Sequence, residues 1–404
     1  MKAAVKSFIG LVILAWPAWV FAGFTDTLPQ GTWLLDAGFI ISNIDSRWDD
    51  EGEKVTLVDP VTRYEPGAGK QGILKPMVEV QYGILAFQVY YGILDNLVFG
   101  VGVPVVLYTN VDPNFQWEEG DYQWNLGRAY SQQDFWEWAE SMGQPKPEPW
   151  SGNHGVLGDI QLGLRYRFTD GINWFQNNDL ALSVMLMGVL PTGTQADPEE
   201  LLSAGTTSWD LHSNGDVGLH VSVDKFFKRS LDGRLTLGLD AFYEALLPHQ
   251  YISPEGKKNP LMLNYRPFTG KYYTIDGGDF SGGSAQADIV PWQGPAYGTW
   301  LTKGDQAKAE ALPPLLTLSL RYTFIYLQQT DWESDSAIWD WDREKLWKPG
   351  YKNILWGQAM VSLLRLGAPI QPYVNYRNLS WIPGKNARAA DALTAGTRVL
   401  MKFW

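Results

Sequence analysis

Cysteine is absent from this chain of 404 residues, and charged residues make up only 19% of it. Without cysteine no disulfide can staple the fold, so backbone hydrogen bonds and burial must stabilise it. Histidine is scarce too, with four residues, and we therefore expect no zinc site. We predict no metal and no cofactor. The formal net charge of −12 argues against nucleic-acid binding, which needs clustered Lys and Arg.

Long apolar runs are also missing, apart from FIGLVILAWPAWVFA at 8–22, which follows two lysines. This run is short, contains Pro17 and ends in small residues, as secretory signals do. An uncleaved anchor is the alternative. We expect a signal peptide over 1–22, cleavage near Ala22 and a single domain over 23–404. No later segment offers about 18 to 20 unbroken apolar residues, so the sequence predicts no helical membrane span.

Many segments alternate between apolar and polar residues with a period of two. The stretch GDIQLGLRYRF at 158–168 places leucines and aromatics on one face and Gln161, Arg165 and Arg167 on the other. Such a period indicates a β-strand. In a soluble sandwich the apolar face would point inward. In a membrane barrel it would point to lipid, and the arginines would line a lumen.

The same alternation recurs along the chain and allows the strands to be counted. Eleven predicted strands cover 32–43, 75–91, 97–108, 155–168, 179–190, 215–227, 234–247, 315–327, 354–366, 370–382 and 393–404. Short turns and long loops take turns between them, as in outer-membrane barrels. The long loops all lie on the same side of the membrane only if one more strand lies between 248 and 314. We assign it to 285–301, which brings the count to about twelve.

The chain ends in RVLMKFW, and its last residue is Trp404. An aromatic residue that closes a last strand resembles the recognition signal of bacterial outer-membrane barrels, although Lys402 departs from the usual form. Trp and Tyr, with 20 and 19 residues, are the residues of membrane aromatic girdles. The alternative is a large soluble all-β protein with sugar-binding aromatics.

Together these features predict an all-β fold, a transmembrane antiparallel up-and-down β-barrel of about 12 strands. Its outer loops would be long and its periplasmic turns short. We expect it in the outer membrane of a Gram-negative bacterium. The partners would be outer-membrane lipid, lipopolysaccharide and the barrel-assembly machinery, which would bind through Trp404.

If the apolar face meets lipid, the polar alternates should line the lumen. The candidates are Glu79, Gln81, Asp159, Gln161, Arg165, Arg167, Asp240, Glu244, Arg321, Arg377 and Arg398. Charges of both signs can set a field in a pore. They can equally do no more than fill and cross-link a narrow interior. For a 12-stranded barrel we expect a narrow or plugged path.

Two long loops, 109–154 and 328–353, are rich in tryptophan and carboxylates. Their substrate-contact candidates are Trp117, Trp124, Trp136, Trp138, Trp339 and Trp341. An aromatic funnel at the barrel mouth would catch apolar or ring-shaped solutes. The alternative is that these loops fold over one another and rest on the membrane surface.

The stretch DLHSNGD at 210–216 resembles the HxSNG motif of outer-membrane phospholipase A. Here His212 and Ser213 are adjacent, and adjacent strand residues point to opposite faces, so the histidine cannot readily accept the serine proton. We therefore predict no catalytic residue and no enzyme.

Several stretches resemble a known family. They are YGILDNL at 91–97, GVGVPVV at 100–106, GDIQLGLRYRF and VLPTG at 189–193. The pattern is similar to that of the bacterial outer-membrane family named for phenol degradation through the MetA pathway. This resemblance implies an outer-membrane channel or transporter that admits small hydrophobic or aromatic compounds. The alternatives are a non-conducting barrel with surface-binding loops and, third, a lipid-acting barrel enzyme.

Overall fold

The structure is a computed structural model. It describes residues 23–65, 69–120, 123–124, 127–142, 146–152, 155–193, 215–228, 230–252, 272–276, 278–297, 303–306, 310, 312–329, 331–333 and 349–402.

Among these residues, twelve antiparallel strands form the wall of the barrel. They are β1 (Thr32–Trp48), β2 (Gly69–Leu94), β3 (Leu97–Glu119), β4 (Ile160–Arg167), β5 (Leu180–Leu190), β6 (Asp216–Phe226), β7 (Leu235–Leu246), β8 (Phe280–Trp292), β9 (Leu316–Leu327), β10 (Gly350–Val361), β11 (Ile370–Asn378) and β12 (Ala387–Lys402). Each pairs with its neighbours in chain order, and β1 pairs with both β2 and β12, which closes the sheet. Closure leaves no unpaired edge in lipid. The predicted barrel and its strand count are confirmed.

The additional strand predicted between 248 and 314 is β8. Its prediction at 285–301 is shifted toward the C-terminus. The predicted strand at 354–366 begins earlier, at Gly350, and ends at Val361 because a 3₁₀ turn follows at Leu364–Leu366. Gly367 closes this turn with a φ of 90°, a left-handed conformation that glycine adopts without strain.

Burial alternates along each strand and shows which face points inward. In β4 the residues Gln161 and Arg165 are buried, whereas Leu164 and Tyr166 are exposed. The same holds at Leu239 and Leu320, whose exposed fractions are 60% and 56%. The leucine-rich face is therefore the outer face, and the arginines point into the lumen. This orientation is that of a membrane barrel and excludes the soluble sandwich.

The two ends of the barrel differ. At one, called the turn end, most connections are shorter than those at the other end, and helix α2 (Asn173–Asn177) lies between β4 and β5. Residues 293–315, between β8 and β9, are the long exception at this end. At the other, the loop end, β2 and β3 reach 26 and 23 residues, far beyond the roughly 9–11 that cross a membrane. Helix α1 (Gln132–Ser141) lies here. Minor strands are Lys54–Thr56, Val61–Glu65, Gln123–Trp124, Arg128–Ala129, Trp150–Gly152, Val156–Leu157, His249–Ile252, Tyr272–Asp276 and Asp331–Glu333.

Neither helix is long and apolar enough to cross a membrane, within the part of the chain that the structure describes.

Candidate functional site: the barrel lumen

Most of the predicted lumen residues point inward. This group comprises Asp159, Gln161, Arg165, Arg167, Asp240, Glu244, Arg321, Arg377 and Arg398. Several bond to other inward side chains or to nearby backbone. Arg398 Nε lies 3.0 Å from Asp36 Oδ2, and Arg321 Nε donates to Gln286 Oε1 at 2.7 Å. Much of the polar interior is thus cross-linked, as expected for a narrow barrel.

Glu79 and Gln81 do not point into the lumen, contrary to the prediction. Both are exposed and lie on the outer face of β2, together with Phe87 and Val89. The inward alternates next to them are Val78, Val80 and Tyr82. The polar-inward rule fails here because β2 continues beyond the length that crosses lipid, where its outer face meets water.

One side of the lumen is therefore apolar. Ile40 and Ile44 of β1, Val80 and Ile84 of β2 and Val106 of β3 form a buried cluster, together with small residues of β12. We call this set the apolar wall. It is next to the loop end, and Ile354 of β10 packs against it.

The opposite side carries charge. His220 Nδ1 lies 3.0 Å from Asp240 Oδ2 and its Nε2 lies 3.5 Å from Glu244 Oε1. Ser222 Oγ donates to Asp240 Oδ1 at 2.6 Å. The imidazole therefore bridges two carboxylates on β7, and its ring stacks on Phe242 with centroids 5.1 Å apart. These contacts fix the charged groups in place.

The segment 23–30 precedes β1 and enters the lumen from the turn end. Thr25 donates to Asp224 Oδ2 through its backbone N at 2.7 Å and through its hydroxyl at 2.8 Å. The guanidinium of Arg321 lies 4.5 Å from the ring centroid of Phe24, and Leu28 is 5% exposed. We call this segment the N-terminal plug. Sequence reasoning missed it because eight residues without periodicity carry no strand or helix signal.

A cavity of about 160 Å³ lies within the lumen, beside Phe24 of the plug. Phe242, Phe280, Trp356 and Ile354 contribute its apolar lining, while Arg321 and Glu244 are among its polar groups. Because Ile354 also packs against the apolar wall, the cavity and that wall are neighbours. Nine of its seventeen lining residues are polar, so the cavity combines aromatic and aliphatic surface with groups of both charge signs. Such a lining suits small ligands with an apolar body.

Three tryptophans of the first long loop, Trp117, Trp136 and Trp138, lie in a packed cluster rather than an open funnel. Leu74, Tyr130, Phe135 and Ala139 are buried at its centre, with Trp117, Trp136 and Trp138 packed against them. Trp117 Nε1 donates to the backbone O of Tyr130 at 2.9 Å. We call this unit the loop-end cap. Of the other candidates, Trp124 lies on a minor strand, whereas Trp339 and Trp341 lie outside the described residues.

Helix α1 holds this cap together from its N-terminus. Ser131 and Asp134 form a capping box, and Arg128 contacts both oxygens of Asp134, at 2.5 and 2.6 Å. The Arg128 guanidinium and the Ser131 hydrogen bonds hold the pKa of the Asp134 carboxyl well below its ordinary value. The carboxylate is thus charged where the helix dipole favours it.

No group of three His, Cys, Asp or Glu with metal-binding geometry is found among the described residues. His212 and Ser213 fall outside them. The predictions that the protein has no metal, no cofactor and no catalytic residue therefore stay predictions.

Comparison with known proteins identifies the fold. No protein-family model and no curated protein matches the sequence. Among solved structures, the COG4313 outer membrane channel from Pseudomonas putida F1 aligns over 95% of this chain and 100% of its own, with 12% identity and a TM-score of 0.53. The CymD monoaromatic hydrocarbon channel aligns over 93% of this chain and 89% of its own, with 11% identity and a TM-score of 0.32. The NanC porin aligns over 91% of this chain and 98% of its own, with 8% identity and a TM-score of 0.36. The chain has the fold of an outer-membrane β-barrel, which confirms the predicted fold resemblance.

Proposed function

We propose that this protein is an outer-membrane channel that admits small hydrophobic or aromatic compounds through its lumen. The observation that carries the proposal is the lumen cavity, with Phe242, Phe280 and Trp356 in its lining and the apolar wall beside it. A strongly hydrated sugar would lose water contacts against the aromatic and aliphatic part of this lining. An apolar solute gains from burying its surface there.

The N-terminal plug adds a limit on size. It occupies the lumen at the turn end and is fixed by Asp224, Arg165 and Ser183, whose side chains bond to residues 24–26. A solute that passes must fit beside the plug or displace it. This supports small solutes over large ones.

A non-conducting barrel with surface-binding loops is the second candidate, because the plug fills part of the lumen and the loop-end cap is independently packed. In that case solutes would bind the loops without crossing. A lipid-acting enzyme has no observation in its favour among the described residues.

Export and membrane assembly complete the proposal. Residues 1–22 would be a signal peptide removed near Ala22, and Trp404 would engage the barrel-assembly machinery of a Gram-negative bacterium. The outer face carries exposed Leu, Val and Tyr side chains, which suits contact with outer-membrane lipid and lipopolysaccharide.

The test is solute flux into liposomes that carry the purified barrel, with aromatic, sugar-like and charged probes. Each rate is corrected for protein-free liposomes, because aromatic probes also cross lipid. Ser284 lines the cavity, whereas its neighbour Ala285 is exposed on the outer face. Ser284→Trp should therefore reduce aromatic flux, and Ala285→Trp should not. Flux rates that depend only on the charge of the probe, or no flux of any probe, would contradict the proposal.

A further inference from the structure

Two cations of the cavity lining differ from the other positive groups of the lumen. Lys352 lies on β10 and Arg377 on β11, and Arg377 pairs in register with Trp356, four residues further along β10. Both are partly buried inward alternates. They place two positive charges on neighbouring strands at the same cavity.

Several other lumen cations have acceptors. Arg398 bonds to Asp36, Arg321 to Gln286, and His220 lies between two carboxylates. Within the described part of the chain, no carboxylate forms an ion pair with Lys352 or Arg377, and neither donates a hydrogen bond. The charged groups that act on Lys352 there are Arg388 and Arg377, both of like sign. Buried charge without a partner is costly, so an anion at this position would be stabilising.

A third polar group, on Tyr82, belongs to the apolar wall beside the cavity rather than to the cavity lining itself. The hydroxyl of Tyr82 is buried without a hydrogen-bond partner among the described residues, and the whole side chain is only 3% exposed. Strand register places Tyr82 opposite Ser42, Ser42 opposite Ala392, and Ala392 opposite Arg377. These residues form one inward row across β2, β1, β12 and β11.

The two residues in the middle of that row are small. The side chains of Ser42 and Ala392 are short, so no long side chain of this row stands between the phenol of Tyr82 and the guanidinium of Arg377. The surroundings are apolar, because Tyr82 and Ala392 belong to the cluster of the apolar wall and Ile354 packs against it. A ligand for this place needs one anionic end and an apolar body.

We propose that Lys352, Arg377 and Tyr82 bind the carboxylate of a hydrophobic acid. Its ring or chain lies along Ile354 and Trp356. A carboxylate matches the planar guanidinium with two oxygens and also accepts from an ammonium and a phenol. This site rests on the proposed function and narrows its substrate class from hydrophobic compounds in general to hydrophobic acids.

The experiment compares 2-naphthoate with its neutral isostere 2-naphthamide. Binding of each to the barrel in zwitterionic nanodiscs is measured by equilibrium dialysis, with empty nanodiscs as the blank. The variants are Arg377→Gln, Lys352→Gln and Tyr82→Phe. Lys225→Gln is the matched control, since Lys225 is on the outward alternate of β6 near the turn end. Thermal unfolding by circular dichroism checks that each variant is folded.

We expect wild type to bind naphthoate more tightly than naphthamide. Arg377→Gln and Lys352→Gln should each weaken naphthoate binding ~10-fold, with Tyr82→Phe weaker in effect. Naphthamide binding should not change, and Lys225→Gln should behave as wild type. Equal binding of the two ligands, or an unchanged preference in Arg377→Gln, would overturn the carboxylate site alone. No binding of either ligand would overturn the proposed function as well.

Discussion

Arg398 of the last strand donates to Asp36 of the first strand, with Nε 3.0 Å from Oδ2. The two residues pair in register at the seam that closes the barrel, and their side chains are only 3% and 7% exposed. Tyr373 donates to the other oxygen of Asp36 at 2.8 Å. The closure of the barrel thus includes a buried ion pair.

Breaking this pair from one side should destabilise the barrel. Asp36→Asn leaves the Arg398 charge without its counter-ion, which costs about 3–5 kcal/mol. The free energy of unfolding in guanidinium should fall by that order. The double variant Asp36→Leu/Arg398→Met should recover much of the loss, because no charge is then left buried. A double variant as unstable as the single one would contradict this role.

Removing the N-terminal plug should open the lumen. Deletion of residues 24–28 removes Phe24, Thr25 and Leu28 from the interior, and single-channel conductance in planar bilayers should rise. Thr25→Val removes the hydroxyl donated to Asp224 and should give a smaller or intermittent rise. An unchanged conductance in the deletion variant would show that the segment does not limit the path.

The loop-end cap should depend on Trp117. Because the chain has no cysteine, Ala139→Cys provides a unique thiol at a fully buried position of the cap. In that background, Trp117→Ala should cost about 2 kcal/mol of local stability, which is ~30-fold in thiol labelling rate. Trp174→Ala is the control, since Trp174 lies on α2 and is 61% exposed. Equal labelling rates would contradict the packed cap and favour an open funnel.

The same cap should loosen in acid. Arg128 and Ser131 hold the pKa of Asp134 below its ordinary value, so the unfolded loop binds a proton more readily than the folded one. The stabilisation is fully present above the ordinary carboxyl pKa of about 4 and is lost as the pH falls below it. Labelling of the Ala139→Cys thiol by a pyridyl disulfide should accelerate between pH 4 and 2. With Asp134→Asn added, the Ala139→Cys thiol should be labelled fast at pH 7 and show no further acceleration in acid. The same pH profile with and without Asp134→Asn would contradict the role of Asp134.

The sequence predicted the barrel because lipid imposes strict alternation on strands such as β4, where Arg165 and Leu164 face opposite ways. It failed at Glu79 and Gln81 because β2 extends beyond the length that crosses lipid, so its outer face there is polar, and alternation alone does not show which face points inward. It failed at Phe24 because the plug is positioned by tertiary contacts with Asp224 and Arg321. The tryptophans were found as a group, but whether Trp117 lies open or packed depends on α1, which the pattern did not reveal.

The central claim is that hydrophobic solutes occupy the lumen. The most direct measurement is photolabelling of the barrel in lipid with an aryl diazirine, followed by peptide mapping with and without excess naphthalene. The account predicts that competable adducts fall on lumen residues such as Phe242 and Trp356, while adducts on outward leucines are not competed. Competable adducts confined to the loop-end cap, with none in the lumen, would contradict the channel and favour a surface-binding barrel.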